Sequence, residues 1–226
     1  MDENLITPDV FDRQRDWGIE YRRLPHWSQA GTLCFITFRT SDSLPANVLK
    51  AWYAERSEWL ANHNIIGPLW REGLQQLEIS LQRAFHERFS LRWQNHLDAC
   101  HGECVLRQSE LAQIVAGSLE HCNEKEYLLT DYVIMPNHVH VLAAFRDEEG
   151  MLRQCESWKH FTAREINRRL GRSGRFWQQD GFDHLIRSAE QFFRVRRYIA
   201  ANPAQAKLSI GEYLHVSKAL PGQVDP

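Results

Sequence analysis

Two runs of residues, Tyr127 to Ile134 and His138 to Phe145, constrain this chain more than any other feature. Both are dense in aromatic, β-branched and aliphatic residues, and only Met135-Pro136-Asn137 separates them. Runs this short, divided by turn-forming residues, predict two strands joined as an antiparallel hairpin. A two-stranded hairpin is marginal in water by itself, so other elements must cover it.

The flanking sequence supplies candidates. Met1 to Gln14 reads as a loose arm. Thr32 to Phe38 (T-L-C-F-I-T-F), opened by Gly31, is a further apolar strand. Pro45 precedes a helical stretch, Ala46 to Asn62, broken by Gly67-Pro68. Leu69 to Leu97 resumes helical spacing through Leu74, Leu77, Leu81, Phe85 and Phe89. Together these predict a helical hairpin with Trp52, Trp59, Trp70 and Trp93 as its core. Ser109 is placed to cap a helix reaching about Cys122. A helix spans Leu152 to Leu170 and stops at Gly171; a short strand follows near His184 to Arg187. Ser188 and Gln191 form a capping-box pattern ahead of a last helix, Ala189 to about Ala201. Pro203 is expected to end it, because a proline disfavours the α conformation of the residue before it, here Asn202.

With the hairpin insertion set aside, the order is βαββαβ plus a terminal helix. That is the α+β, ferredoxin-like pattern: an antiparallel sheet with helices on one face, a C-terminal helix, and a helical-hairpin insertion after the first strand. The expected division is an arm over 1–20, one domain over 21–210 with the insertion at about 46–98, and a tail over 211–226.

The 226 residues carry a net charge of −2. Its distribution is uneven: from Met151 to Leu208 the balance is +7, against −9 elsewhere. A basic C-terminal third is compatible with phosphate binding. No stretch approaches the roughly 20 apolar residues of a membrane span. Met1 to Arg15 has no apolar secretion-signal core, so the protein is expected in the cytoplasm, with its five cysteines as thiols. Cys100 and Cys104, with His96, His101, His121 and Cys122 nearby, match no zinc-site spacing.

His138 and His140 stand at alternate positions of one predicted strand. Both imidazoles therefore project from the same face while Val139 points the other way. Two neutral imidazoles so placed are a metal-binding pair; two surface histidines on an edge strand is the plainer reading. On the last helix, Arg194, Tyr198 and Asn202 recur at every fourth residue and share a face. A cation held by two imidazoles and a carboxamide oxygen could polarise a phosphodiester, and a phenol could attack it, given positive potential from Arg194, Arg196 and Arg197. Imidazole ligands alone favour a softer ion than Mg²⁺.

Three segments carry a resemblance. They are Tyr132-Val-Ile-Met-Pro-Asn-His-Val-His140, Phe176-Trp-Gln-Gln-Asp-Gly-Phe-Asp-His184 and Arg197-Tyr-Ile-Ala-Ala-Asn-Pro203, with Tyr21-Arg22-Arg23 and Gly31-Thr32 upstream. In these the chain resembles the REP-associated tyrosine transposases, single-tyrosine members of the HUH endonuclease superfamily related to the insertion-sequence-200-like transposases. The resemblance spans Tyr21 to Leu208, apart from the insertion. It implies that His138, His140 and Asn202 hold Mg²⁺ or Mn²⁺. It implies that Tyr198 attacks single-stranded DNA, forming a 5′-phosphotyrosine and freeing a 3′-hydroxyl at hairpin sequences. Arg22, Arg23, His26, Lys159, Trp177, Arg194 and Arg197 are the candidate DNA contacts, with Trp177 offering a ring for an unpaired base. A monomer and a homodimer both fit. The alternatives are a hairpin-binding protein without chemistry, and a metal-dependent nucleotide phosphoesterase of the histidine-triad type. The latter needs a third alternate histidine where this chain has Leu142.

Overall fold

In chain order the computed structural model runs through β1 (Gly18–Tyr21), β2 (Pro25–Ser28), β3 (Leu33–Arg39), α1 (Ala46–Asn62), α2 (Trp70–Gln76) and α3 (Ile79–Phe85). A π-helical turn (His86–Leu91) and a 3₁₀ turn (Val105–Arg107) follow. Then come α4 (Ser109–His121), β4 (Tyr127–Ile134), β5 (His138–Phe145), α5 (Glu148–Arg169), β6 (Phe182–Leu185), α6 (Ala189–Gln205) and β7 (Leu214–Ser217). The structure describes residues 6, 8–12, 14–15, 18–21, 25–29, 31–67, 69–91, 96, 99–179 and 182–219. Among them no helix is long and apolar enough to cross a membrane.

The chain forms two compact units, Met1–Ser41 with Cys104–Pro226, and Asp42–Glu103. The first is built on a five-stranded sheet ordered β6-β3-β5-β4-β7, every neighbouring pair antiparallel. Four of these strands, β6-β3-β5-β4, with α4 and α5 have the ferredoxin-like order predicted from the sequence. β1 and β2 pair separately as a small hairpin within the segment read as arm and domain start. β7 falls in the stretch read as a tail and adds a fifth strand beside β4.

Alternation sorts the strand residues between two layers. Cys34, Ile36, Phe38, Val139, Val141, Ala143 and Phe145 face α4 and α5, meeting Leu111, Val115, Leu119, Trp158 and Ile166. Leu33, Phe35, Leu142 and Ala144 face the other way and meet Phe192, Val195 and Ile199 of α6. The last helix thus covers the sheet face that α4 and α5 leave open. A β-bulge between Leu129 and Asp131 shifts the alternation of β4, turning Asp131 toward the α6 side while Tyr132 keeps to the α4 side.

Helix ends follow local chemistry. α5 begins a turn earlier than expected, because the Asp147 carboxylate accepts from the Gly150 N–H and caps it. At α6 half of the capping box forms: Ser188 Oγ accepts from Gln191 N at 3.1 Å, while Gln191 Oε1 accepts at 2.8 Å from the N–H of Arg187, the residue before the cap. α6 does not stop at Ala201. It continues through Pro203 to Gln205, with Asn202 and Pro203 fully packed. Proline lacks the N–H that would return to the Ile199 carbonyl, so burial of this turn outweighs that missing bond.

The second unit differs from a simple helical hairpin. The stretch from Leu69 is broken at Leu77, where Gln82 Nε2 donates to the carbonyls of Gln75 and Leu77 that the break exposes. Leu60, Phe85 and Phe89 form its buried centre, with Trp52, Trp59 and Trp70 around them. Arg56 packs over the rings of Trp52, Tyr53 and Trp70, and burial lowers its pKa. Trp93 lies outside the described residues.

Candidate active site

His138 and His140 sit where the alternation of β5 puts them, on the face under α6. Both are buried, at 0% and 2% exposure, with ring centroids 4.7 Å apart. Each ring has its Nδ1 engaged. His138 Nδ1 lies 2.8 Å from Asn137 Oδ1, and His140 Nδ1 lies 2.7 Å from Thr37 Oγ1. A carboxamide oxygen only accepts, so Nδ1 of His138 carries the proton and its Nε2 keeps a lone pair. Asn202 of α6 lies beside the His138 side chain. Tyr198, one turn earlier and half-buried, brings its phenol oxygen 3.3 Å from His140 Nε2.

Burial dominates the electrostatics. It pushes the pKa of His138 down to about 3, against a smaller opposing effect of the nearby Asn202 side chain. His140 falls well below its ordinary value through burial and the neighbouring His138. Both rings are therefore neutral at neutral pH, the form in which imidazole ligates a cation. An imidazole whose Nδ1 is fixed by a polar partner and whose Nε2 is presented is the usual arrangement of a metal ligand. Two such rings with the Asn202 amide give a donor set that fits a divalent cation.

The strand β3 supplies residues that sequence reading missed. Thr37 faces His140 across the ladder, and Arg39 faces His138 on the same side of the sheet. Phe35 stacks on His140 with centroids 5.3 Å apart, and meets Tyr198 and His184 edge-on at 6.0 and 5.2 Å. The only advance signal was their alternation, Phe35, Thr37 and Arg39; the register that sets them against the histidines is long-range.

α6 carries Tyr198 and Asn202 on neighbouring parts of its inner surface, but Arg194 is exposed beyond Tyr198 and lies 3.7 Å from Glu190. Arg197 is exposed on the outer side. Lys159 is half-buried, and its Nζ donates to the Gln179 carbonyl at 2.7 Å. It lines an open groove of about 690 Å³ between α5 and residues 174–179, with His160 and Arg175. Trp177 is not placed to stack on a base. It is 4% exposed, edge-on to Phe38 and Phe176, and its indole N–H donates to Thr162 Oγ1 at 2.8 Å. A ring that large gains more from the core than from solvent once its N–H has a partner. Arg22 and Arg23 lie outside the described residues, as does the side chain of His26.

The model of the family described as "Transposase IS200 like" matches residues 104–202. None of the curated proteins matches the chain. Among solved structures, a REP-associated tyrosine transposase bound to a REP hairpin is similar: 13% identical, over 82% of this chain and 73% of that one, with a TM-score of 0.42. The stretch 104–202 that is similar to the IS200-like transposase family holds His138, His140, Tyr198 and Asn202 together.

Proposed function

We propose that the protein cleaves and rejoins single-stranded DNA at hairpin sequences, with Tyr198 as the nucleophile and a divalent cation held by His138, His140 and Asn202. The observation that carries this reading is the approach of the Tyr198 oxygen to 3.3 Å from His140 Nε2, beside a second neutral imidazole. When bound, the cation would supply charge stabilisation at the non-bridging phosphate oxygens.

The chain's own groups divide the rest. Tyr198 Oη bonds to phosphorus as its proton leaves. The bond from phosphorus to the 3′ oxygen breaks, and that oxygen takes up a proton as a free 3′-hydroxyl. The 5′ side stays on the tyrosine as a phosphodiester, so a 3′-hydroxyl can reverse the step and rejoin strands. A phenol of pKa about 10 needs positive surroundings to act at neutral pH. Phe35, on the flank of both Tyr198 and His140, limits where the phenol can swing. Arg194 and Arg197, exposed on α6, and the groove of Lys159 and Arg175 are the candidate phosphate contacts.

The test is covalent trapping. The protein is incubated with single-stranded hairpin oligonucleotides from the DNA flanking its own gene, with Mn²⁺, and run on a denaturing gel. A metal-dependent shifted band, lost in Tyr198→Phe, is expected. Hairpin binding with no band at any metal concentration would put the non-catalytic binding protein in its place.

A further inference from the structure

α6 presents its buried residues in an ordered arc. At about 100° per residue, Arg196 stands at one edge, then Phe192, Ile199, Val195 and Asn202, with Tyr198 at the other edge, about 160° away. Phe192, Ile199, Val195 and Asn202 are buried against the sheet. Tyr198 flanks β3 and β5 through Phe35 and His140. Arg196 flanks β4 and β7. Its Nε donates to Asp131 Oδ1 at 3.1 Å, and one terminal nitrogen donates to Ser217 Oγ at 2.7 Å and to the Lys218 carbonyl at 2.9 Å. Ser217 Oγ donates in turn to the same Asp131 oxygen at 2.6 Å. The Asp131 side chain is 1% exposed and that of Arg196 15%.

Burial of apolar surface is non-directional and does not by itself select the roll of a helix about its axis or hold it against small departures. Directional bonds at both edges do so. We infer that Arg196 is a positioning residue for Tyr198, tying the helix at once to the sheet at Asp131 and to the C-terminal strand at Ser217 and Lys218, and so fixing the roll that sets the phenol against His140. The inference rests on Tyr198 being the nucleophile. It also gives β7, which lies beyond the matched stretch 104–202, a part in the reaction. The bulge in β4 is a precondition, since it turns the carboxylate toward this helix.

The full-length protein is compared with Arg196→Met, which keeps the aliphatic stem but none of the three bonds, with Ser217→Ala, and with the double variant. Three quantities are read: the single-turnover rate of Tyr198–DNA adduct formation, hairpin affinity and Mn²⁺ affinity. A misplaced reacting group costs on the order of 10- to 100-fold in rate. Arg196→Met is expected to lose that much while both affinities stay within about twofold of wild type. Ser217→Ala should lose less, and the double variant no more than Arg196→Met, because both residues serve one clasp. An unchanged rate in Arg196→Met overturns the inference. A parallel loss of hairpin affinity also overturns it, making Arg196 a DNA contact. If Arg196→Met does not fold, Ser217→Ala decides, and an unchanged rate there overturns the inference. Should wild type form no adduct, the nucleophile reading fails by itself. The roll is then read from the imidazole ¹⁵N shifts of His140, which should move in Arg196→Met if its contact with Tyr198 is lost and stay fixed if the clasp is idle.

Discussion

Thr37 Oγ1 and His140 Nδ1 meet at 2.7 Å across the β3–β5 ladder, buried on both sides. The bond links a residue with no chemistry of its own to a ring whose other nitrogen faces Tyr198. Outer partners of ligating imidazoles are worth about 10- to 100-fold in metal affinity or activity. Thr37→Val, close in shape but without the hydroxyl, should weaken Mn²⁺ binding by that order without unfolding the protein. Isothermal titration calorimetry on folded variant protein checks it.

The histidine pair should be indispensable to the cation. His138→Ala combined with His140→Ala is expected to abolish measurable Mn²⁺ binding. Unchanged calorimetric affinity would remove both from the ligand set.

The two buried tyrosines of the five-stranded sheet, Tyr127 and Tyr132, are poorly placed to stand in for Tyr198 of α6. Tyr127 and Tyr132 belong to the layer under α4 and α5, on the opposite face from the histidines. Burial pushes the Tyr127 phenol up to about 12 and raises that of Tyr132 as well, so neither ionises near neutrality. Mass spectrometry of trapped adducts should find DNA on Tyr198 alone, and none in Tyr198→Phe.

Stability should fall in mild acid. His138 and His140 have folded pKa values below the ordinary 6.5, His138 reaching about 3. Between those limits the unfolded chain binds more protons than the folded one, so stability is full above about pH 6.5 and declines as pH drops toward 3. Urea unfolding of the metal-free protein across this range should show the decline, with a shallower slope in His138→Gln.

Trp177 should prove structural. Removing a large buried ring costs about 3–5 kcal/mol. Trp177→Ala should lower stability by that order, as denaturant unfolding would show. Wild-type stability combined with weakened single-strand binding would return the ring to the DNA.

Much of this architecture was legible because it is local. The strands Tyr127–Ile134 and His138–Phe145 announce themselves by composition and turn, and the same alternation puts both imidazoles on one face. What escaped depends on distant partners. β7 is four residues long and only half apolar (Leu214, His215, Val216, Ser217), too short to be seen without β4 beside it. Pro203 obeys its local preference in most settings, but here packing of Asn202 overrides it. Thr37, Phe35, Asp131 and Arg196 enter the site through register, bulge and helix placement, none of which a single strand or helix reveals.

The shared use of β5 by core and site has a consequence for how the chain must fold. Its odd and even residues serve opposite layers, so a slip of one residue in its pairing would bury both imidazoles beneath α4 and α5 and offer Val139 and Val141 to Tyr198. Such a chain would expose no long apolar run, would still be compact, and would be inert. The turn at Met135-Pro136-Asn137 therefore acts as a proofreader of register: Met135 N donates to the His138 carbonyl at 2.9 Å, and Asn137, which closes the turn, also anchors the first imidazole.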